Sequence, residues 1–245
     1  DYSNSPVNRV HNINVGLKRF NGHLIPKDSV FSFVGVLGPV DAAAGYRQEL
    51  VIKGDKTVPD YGGGLCQISS TAYRGIWEYG FPIVQRKNHS YSVSHYFPQG
   101  TDATIYPPNV DMKFTNDSPG ALLIQTYAAD DEAYFLFYGT KDERQAEVVG
   151  PFLWDRVAAP PDRTELTTDL APGEKKKVGS AVPGVKAQWY RLIDRPGQAR
   201  VIETVFSHYA ARPNYTQVGV ASIELPVSGS GGALTDEMPT WFAGD

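Results

Sequence analysis

Cys66 is the only cysteine in a chain of 245 residues, and it follows three glycines in the run YGGGLCQISSTAYRGIWEYG at 61–80. A lone cysteine is most often a small buried apolar residue. At the start of a helix it has a second use, because unsatisfied backbone N–H groups and the positive end of the dipole favour its thiolate. The same N–H groups can hold a developing oxyanion. A thiol nucleophile needs a base. Of the five histidines, His89 and His95 stand in NHSYSVSHY, and Asp102 follows after the turn PQG. The order Cys66, His89, Asp102 supplies a nucleophile, a base and an orienting carboxylate, which is a recurrent thiol-enzyme arrangement. His95 is the second candidate base. The competing structural reading makes both histidines surface strand residues and Asp102 a turn cap. Cys66, His89 and His95 have suitable atoms for a metal but no close-spaced ligand pair, so no metal is expected. YGGGLC lacks the Lys-Ser/Thr ending of a phosphate loop, and no cofactor is expected.

These side chains need elements to position them. From Cys66 onward, Ile68, Ala72, Ile76 and Tyr79 recur at helical spacing, Gly80 stands where a glycine ends a helix, and Pro82 forbids continuation. That predicts a helix of about 13 residues beginning at the cysteine. NHSYSVSHY reads as a regular strand with His89, Tyr91, Val93 and His95 on one face, and TDATIY as the neighbouring strand that brings Asp102 alongside. FSFVGV, ATIYP and AYFLFYG also read as strands, and AADDEA, with Asp130 and Asp131, as a hairpin turn. GPFLWDRVAAPPDRTEL reads as a linker or an extended entry to a second unit. Beyond it, AQWYRLI and ARVIETVFSHY are strand-like runs joined by the turn DRPGQ, and EKKKVG reads as a solvated turn. The expected fold is α+β. A mixed α/β, thiol-enzyme-like domain over 1–145 carries its cysteine at a helix N-terminus packed on an antiparallel sheet. A small all-β domain follows over 150–221, then a flexible Gly/Ser-rich tail over 222–245.

Composition narrows the function classes. Hydrophobic residues make up 41% and charged residues 20%, enough to bury a proper core. A net charge of −4 argues against nucleic acid as the main partner, since phosphate binding needs a basic surface. No apolar run reaches the roughly 18 residues of a membrane span. The opening DYSNSPVNRV has neither the basic start nor the apolar core of a signal peptide, so the expectation is a cytosolic chain or a mature or trimmed fragment.

Residues 9 to about 140 resemble the VanW domain, a family named after an accessory protein of vancomycin-resistance clusters. The likeness runs through RVHNINVGLKRFNGHLIPKDSVFSF, LGP, GY, GGGLCQISSTAY, HS and GTDATIYPPNVDMKFTN. Its most specific pieces are Gly-Gly-Gly-x-Cys-Gln followed by Ser/Thr, and Gly-x-Asp-Ala-Thr with a later Asp-x-Lys-Phe-x-Asn. One departure is Pro26–Asp28, where the family usually has Pro-Gly-Glu. Residues 150–221 resemble the domain named for five glycines, here Gly173, Gly179, Gly184, Gly197 and Gly219, which occurs on bacterial surface proteins.

The resemblance implies a bacterial, extracytoplasmic protein of the cell wall or envelope whose partners are peptidoglycan stem peptides. It implies L,D-transpeptidation, the making of 3–3 cross-links through a cysteine thioester. Cys66 would be the nucleophile, His89 its base in the family's His-Ser pair, and Asp102 the carboxylate orienting that base. Gly63, Gly64, Gln67 and His95 would contact substrate, and Asp111 and Asn116 would be structural. Two alternatives stand beside this reading: a cysteine peptidoglycan peptidase using water as acceptor, and a non-catalytic cell-wall-binding module.

Overall fold

The computed structural model describes residues 1–53 and 56–222. The tail expected over 222–245 therefore lies, from 223 on, outside the described residues. In chain order the first elements are α1 (Val7–Phe20), β1 (Leu24–Ile25), β2 (Val30–Ser32), α2 (Phe33–Leu37), β3 (Gln48–Lys53), β4 (Lys56–Tyr61) and α3 (Leu65–Tyr79). Then come β5 (Ile83–Gln85), a 3-10 turn at Ser94–Tyr96, β6 (Lys113–Thr115), β7 (Leu122–Ala129) and β8 (Glu132–Tyr138). The remainder is all strand: β9 (Gln145–Val157), β10 (Arg163–Thr167), β11 (Lys175–Gly179), β12 (Gly184–Asp194), β13 (Val201–Tyr209) and β14 (Tyr215–Gly219). The fold is mostly β with few helices, compatible with an α+β class.

The sheets are small, in the orders β1-β7-β8, β2-β6-β5, β3-β4, β13-β12-β9 and β10-β14-β11. Helices α1 and α3 bury their apolar stripes together: Ile13, Leu17 and Phe20 from α1 meet Ile68, Ala72, Ile76 and Trp77 from α3 in one core. That core also takes Phe31, Phe33 and Phe114, and it extends to Trp189 on β12. Helix α3 ends as its glycine requires. Gly80 is left-handed at φ 96°, and the N–H of Phe81 reaches the Ile76 carbonyl at 3.1 Å. Two buried guanidinium groups finish this end. Arg191 on β12 donates to the carbonyls of Trp77 and Phe81, both at 2.9 Å, and Arg144 donates to Gly80 at 3.1 Å. Cations there complement the negative end of the helix dipole.

Several elements differ from the sequence expectation. FSFVGV is a short strand running into α2, because the Ser32 hydroxyl caps the helix at Gly35 N and the Asp111 carboxylate accepts the N–H of Val34 at 2.8 Å. NHSYSVSHY is not a strand: it is irregular up to the 3-10 turn, and its polar groups go to side chains and to the strand end at Ala210 rather than to a ladder. TDATIY is likewise irregular. Of the two readings of the stretch that begins GPFLWDRV, the extended one fits and the linker does not: it belongs to β9, which pairs with β12. EKKKVG contributes strand β11 rather than a turn. AADDEA is the hairpin turn expected, with Asp130 and Asp131 both at positive φ (51° and 60°), as tight hairpins require.

Asp111 and Asn116 have structural roles. The fully buried Asn116 amide donates to the carbonyls of Ile25, Pro26 and Gly120 at 3.0–3.1 Å, and its oxygen accepts the Ser118 hydroxyl at 2.6 Å. Asn116→Ala leaves the buried Ile25 carbonyl, two part-buried carbonyls and a hydroxyl without that partner, so it should cost about 2–4 kcal/mol in a denaturant titration.

Candidate active site

Three consecutive glycines let the chain turn into α3 at close quarters. Gly62 and Gly64 have φ of 83° and 109°, a region most side chains avoid. A Cβ on Gly63 would lie 2.8 Å from Glu49 Cβ and 2.9 Å from the Leu50 carbonyl oxygen, so the glycine is what admits the β3–β4 hairpin beside the helix start. Cys66 then falls in the first turn of α3, half-buried, with its sulfur 3.4 Å from Thr104 Oγ1 and 3.6 Å from the Ile105 carbonyl oxygen.

The imidazole of His89 and this thiol line one cavity, and each shifts the ionisation of the other. On its other side, His89 Nδ1 meets Asp102 Oδ2 at 2.6 Å, and the backbone N–H of His89 donates to the same oxygen at 2.7 Å. The ring stacks on Tyr96, centroids 4.4 Å apart and planes 12° from parallel. Both His89 and Asp102 are buried. The Oδ1 of Asp102 accepts from Arg86 Nη2 at 3.1 Å and from the Tyr209 hydroxyl. Segment 101–105 is held to the helix by Ser70, whose hydroxyl accepts the Ala103 N–H at 3.0 Å and donates to the Cys66 carbonyl at 2.8 Å.

These contacts set the charges. Burial pushes the Cys66 thiol up, but its hydrogen bond to His89 and the imidazolium charge outweigh this and hold it below the ordinary cysteine value. Burial would lower His89, yet the Asp102 hydrogen bond and the neighbouring thiolate raise it to about 9. Burial opposes ionisation of Asp102, while His89 and Arg86 bring it down to about 2. The shifts of Cys66 and His89 thus run toward a thiolate–imidazolium pair, backed by the Asp102 carboxylate.

The structure brings Cys66, His89 and Asp102 together, though through irregular chain rather than adjacent strands. The thiol and His89 open on a cavity of about 410 Å³, whose lining includes Gly63 and Gly64. Leu50, Ile52, Ile105, Pro107 and Pro108 give it apolar walls; Arg9 and Asp60 are its charged edges. Gln67 and His95 are placed elsewhere, in a separate polar cavity with Thr71 and Arg74. The 3-10 turn carries the exposed His95 away from the thiol, and Gln67 accepts from Arg9 at 2.7 Å. Arg86 and Tyr209 were not singled out from the sequence. No local pattern marks them, since their partner lies 16 and 107 residues away.

A family model described as VanW like protein matches residues 8–138. The chain is 34% identical over 124 residues to the uncharacterized protein YoaR of Bacillus subtilis, covering 51% of this chain and 41% of that protein. It is 31% identical over 118 residues to the vancomycin B-type resistance protein VanW of Enterococcus faecalis, covering 45% and 42%. The chain thus spans about two fifths of the length of these curated relatives. Among solved structures, it is similar to the IgA1 protease G5 domain at a TM-score of 0.20 and 16% identity, over 34% of this chain and 98% of that one.

Proposed function

The chain belongs to the VanW-like protein family, and from that membership together with the geometry around Cys66 we propose that it is an extracytoplasmic cysteine acyltransferase acting on peptidoglycan stem peptides, an L,D-transpeptidase. The observation that carries this reading is the grouping of half-buried Cys66 with the buried His89–Asp102 pair, opening on a cavity with apolar walls. The enterococcal relative is named for vancomycin resistance, and that name supports a role in resistance to the antibiotic.

In the proposed reaction, the Cys66 thiolate attacks the carbonyl carbon of the third stem residue. The tetrahedral oxyanion would take the Cys66 N–H, because the neighbouring N–H groups of Leu65 and Gln67 are spent on the carbonyls of Gly62 and Gly64. The C–N bond to the terminal D-amino acid breaks as the His89 imidazolium gives its proton to the departing amine. His89, now neutral, removes a proton from the amine of a neighbouring stem. That amine attacks the thioester, a new amide forms and the thiolate is restored. Asp102 keeps its charge throughout and holds the imidazole in its working tautomer. The apolar walls favour an amine over water as acceptor by keeping the thioester dry.

The test incubates the full chain with disaccharide-tetrapeptide muropeptides and reads the products by mass. A cross-linked dimer, with release of the terminal D-amino acid and a trappable adduct on Cys66, is the expected result. Tripeptide product without dimer would make the protein a peptidase. Unchanged muropeptide without adduct would leave only a wall-binding role.

A further inference from the structure

The segment 86–102, which carries both His89 and Asp102, is gripped by the C-terminal strands. Asn88 Nδ2 donates to the His208 carbonyl at 2.8 Å, and the Ala210 N–H donates to the Ser90 carbonyl at 2.8 Å. Trp189 Nε1 on β12 donates to the Gln99 carbonyl at 2.8 Å. Gly100 lies so close to that indole that a Cβ would sit 2.8 Å from Trp189 Cδ1. Within this grip one contact reaches the relay itself. The buried Tyr209 hydroxyl on β13 donates to Asp102 Oδ1 and accepts the N–H of Gly100 at 2.8 Å. Arg86, the other donor to Oδ1, is tied to β13 as well, since its Nη1 donates to Ser207 Oγ at 2.7 Å.

We propose that Tyr209 is a positioning residue of the thiol site, supplied by the C-terminal β unit, and that it acts by holding the Asp102 carboxylate in the plane that presents Oδ2 to His89. This rests on reading Cys66 as the nucleophile. The last torsion of an aspartate is soft, with broad wells. Fixing Oδ1 is therefore what keeps Oδ2 on both His89 donors. Besides His89 and Tyr209, the charged or titratable groups acting on Asp102 include Arg86, Arg74, Tyr73 and Tyr96; Tyr96 also acts on the thiol and on Arg9. The Tyr209 hydroxyl has two opposed effects. As a donor it draws charge from Asp102 and weakens the pull on His89. As a clamp it keeps the carboxylate and the Gly100 turn in place, which strengthens the pull. The clamp is the larger effect here, because the hydroxyl fixes the carboxylate and the turn that carries it at once.

The test is Tyr209→Phe in the full chain, which keeps the ring and removes the hydroxyl. Thiol ionisation is read from the pH dependence of iodoacetamide alkylation. The expected result is an apparent thiol pKa about one unit higher, seen as about tenfold slower alkylation below both values. An unchanged pKa would overturn the proposal and make Tyr209 merely structural, and a lower one would leave only charge-sharing. An ordinary pKa in the unmodified protein would instead defeat the thiol reading beneath it. Should Tyr209→Phe fail to fold, 3-fluorotyrosine placed at position 209 alone, which keeps both contacts and sharpens the hydroxyl as a donor, makes the same test: a lower apparent thiol pKa is expected, and an unchanged or higher one would overturn the proposal.

Discussion

Cys66→Ala abolishes turnover of tetrapeptide-stem muropeptides while leaving the melting temperature within a few degrees. No atom remains to form the thioester, so what survives is at most the residual acceleration from oxyanion contacts and substrate binding, and the loss is at least about four orders of magnitude. Stability changes little because the contacts of the thiol to Thr104 at 3.4 Å and to the Ile105 carbonyl at 3.6 Å are long, and His89 keeps Asp102 as its partner. The cost is under about 1 kcal/mol. Product mass and a thermal scan check the two halves. Retention of most activity would exclude covalent thiol catalysis.

His89→Ala has the next largest effect. Without the imidazolium, only the contacts to Ile105 and Thr104 still oppose burial at Cys66, so the thiol rises from its lowered value and alkylation at mildly acidic pH slows about tenfold or more. Turnover falls by about three orders of magnitude, in the upper part of what a general acid–base contributes. In the proposed reaction, the first acyl transfer of the unmodified protein needs thiolate and imidazolium together. Its rate should rise with pH as Cys66 loses its proton, below the ordinary cysteine range, and fall again as His89 loses its own at about 9. His89→Ala lacks the alkaline fall. His95→Ala keeps turnover within about twofold, because that ring faces the cavity shared with Gln67 and Arg74. The assignment of the base fails if His95→Ala is the inactive variant and His89→Ala works normally.

The parts of this site that depend on neighbours in sequence were legible. Gly80 stops α3 where its left-handed preference predicts, and the apolar spacing from Ile68 to Tyr79 marks the helix. The α+β mix and the strands around AQWYRLI and ARVIETVFSHY follow from alternation and β-branched content. The path of the chain between His89 and Asp102 was not legible as period-two alternation. Here the Asp102 carboxylate takes the His89 N–H that a ladder carbonyl would have taken, and only Thr104 N to Lys87 O joins the two segments by backbone. A side chain doing a strand's work looks like a strand in sequence. The same alternation placed His95 on the face of His89, which the 3-10 turn at Ser94–Tyr96 undoes. Arg86 and Tyr209 become visible only when β13 is laid against segment 86–102.

Arg144 and Arg191 close the carbonyl end of the helix whose amide end carries Cys66, and both stand beyond residue 138, where the family match stops. The stretch recognisable by shared ancestry is therefore shorter than the stretch that must assemble as one piece. A chimera that joins 8–138 to a foreign carboxy-terminal module inherits the motif residues and loses the guanidinium groups on which the helix rests. Grafting this chemistry onto another scaffold means transplanting β9, β12 and β13 with it.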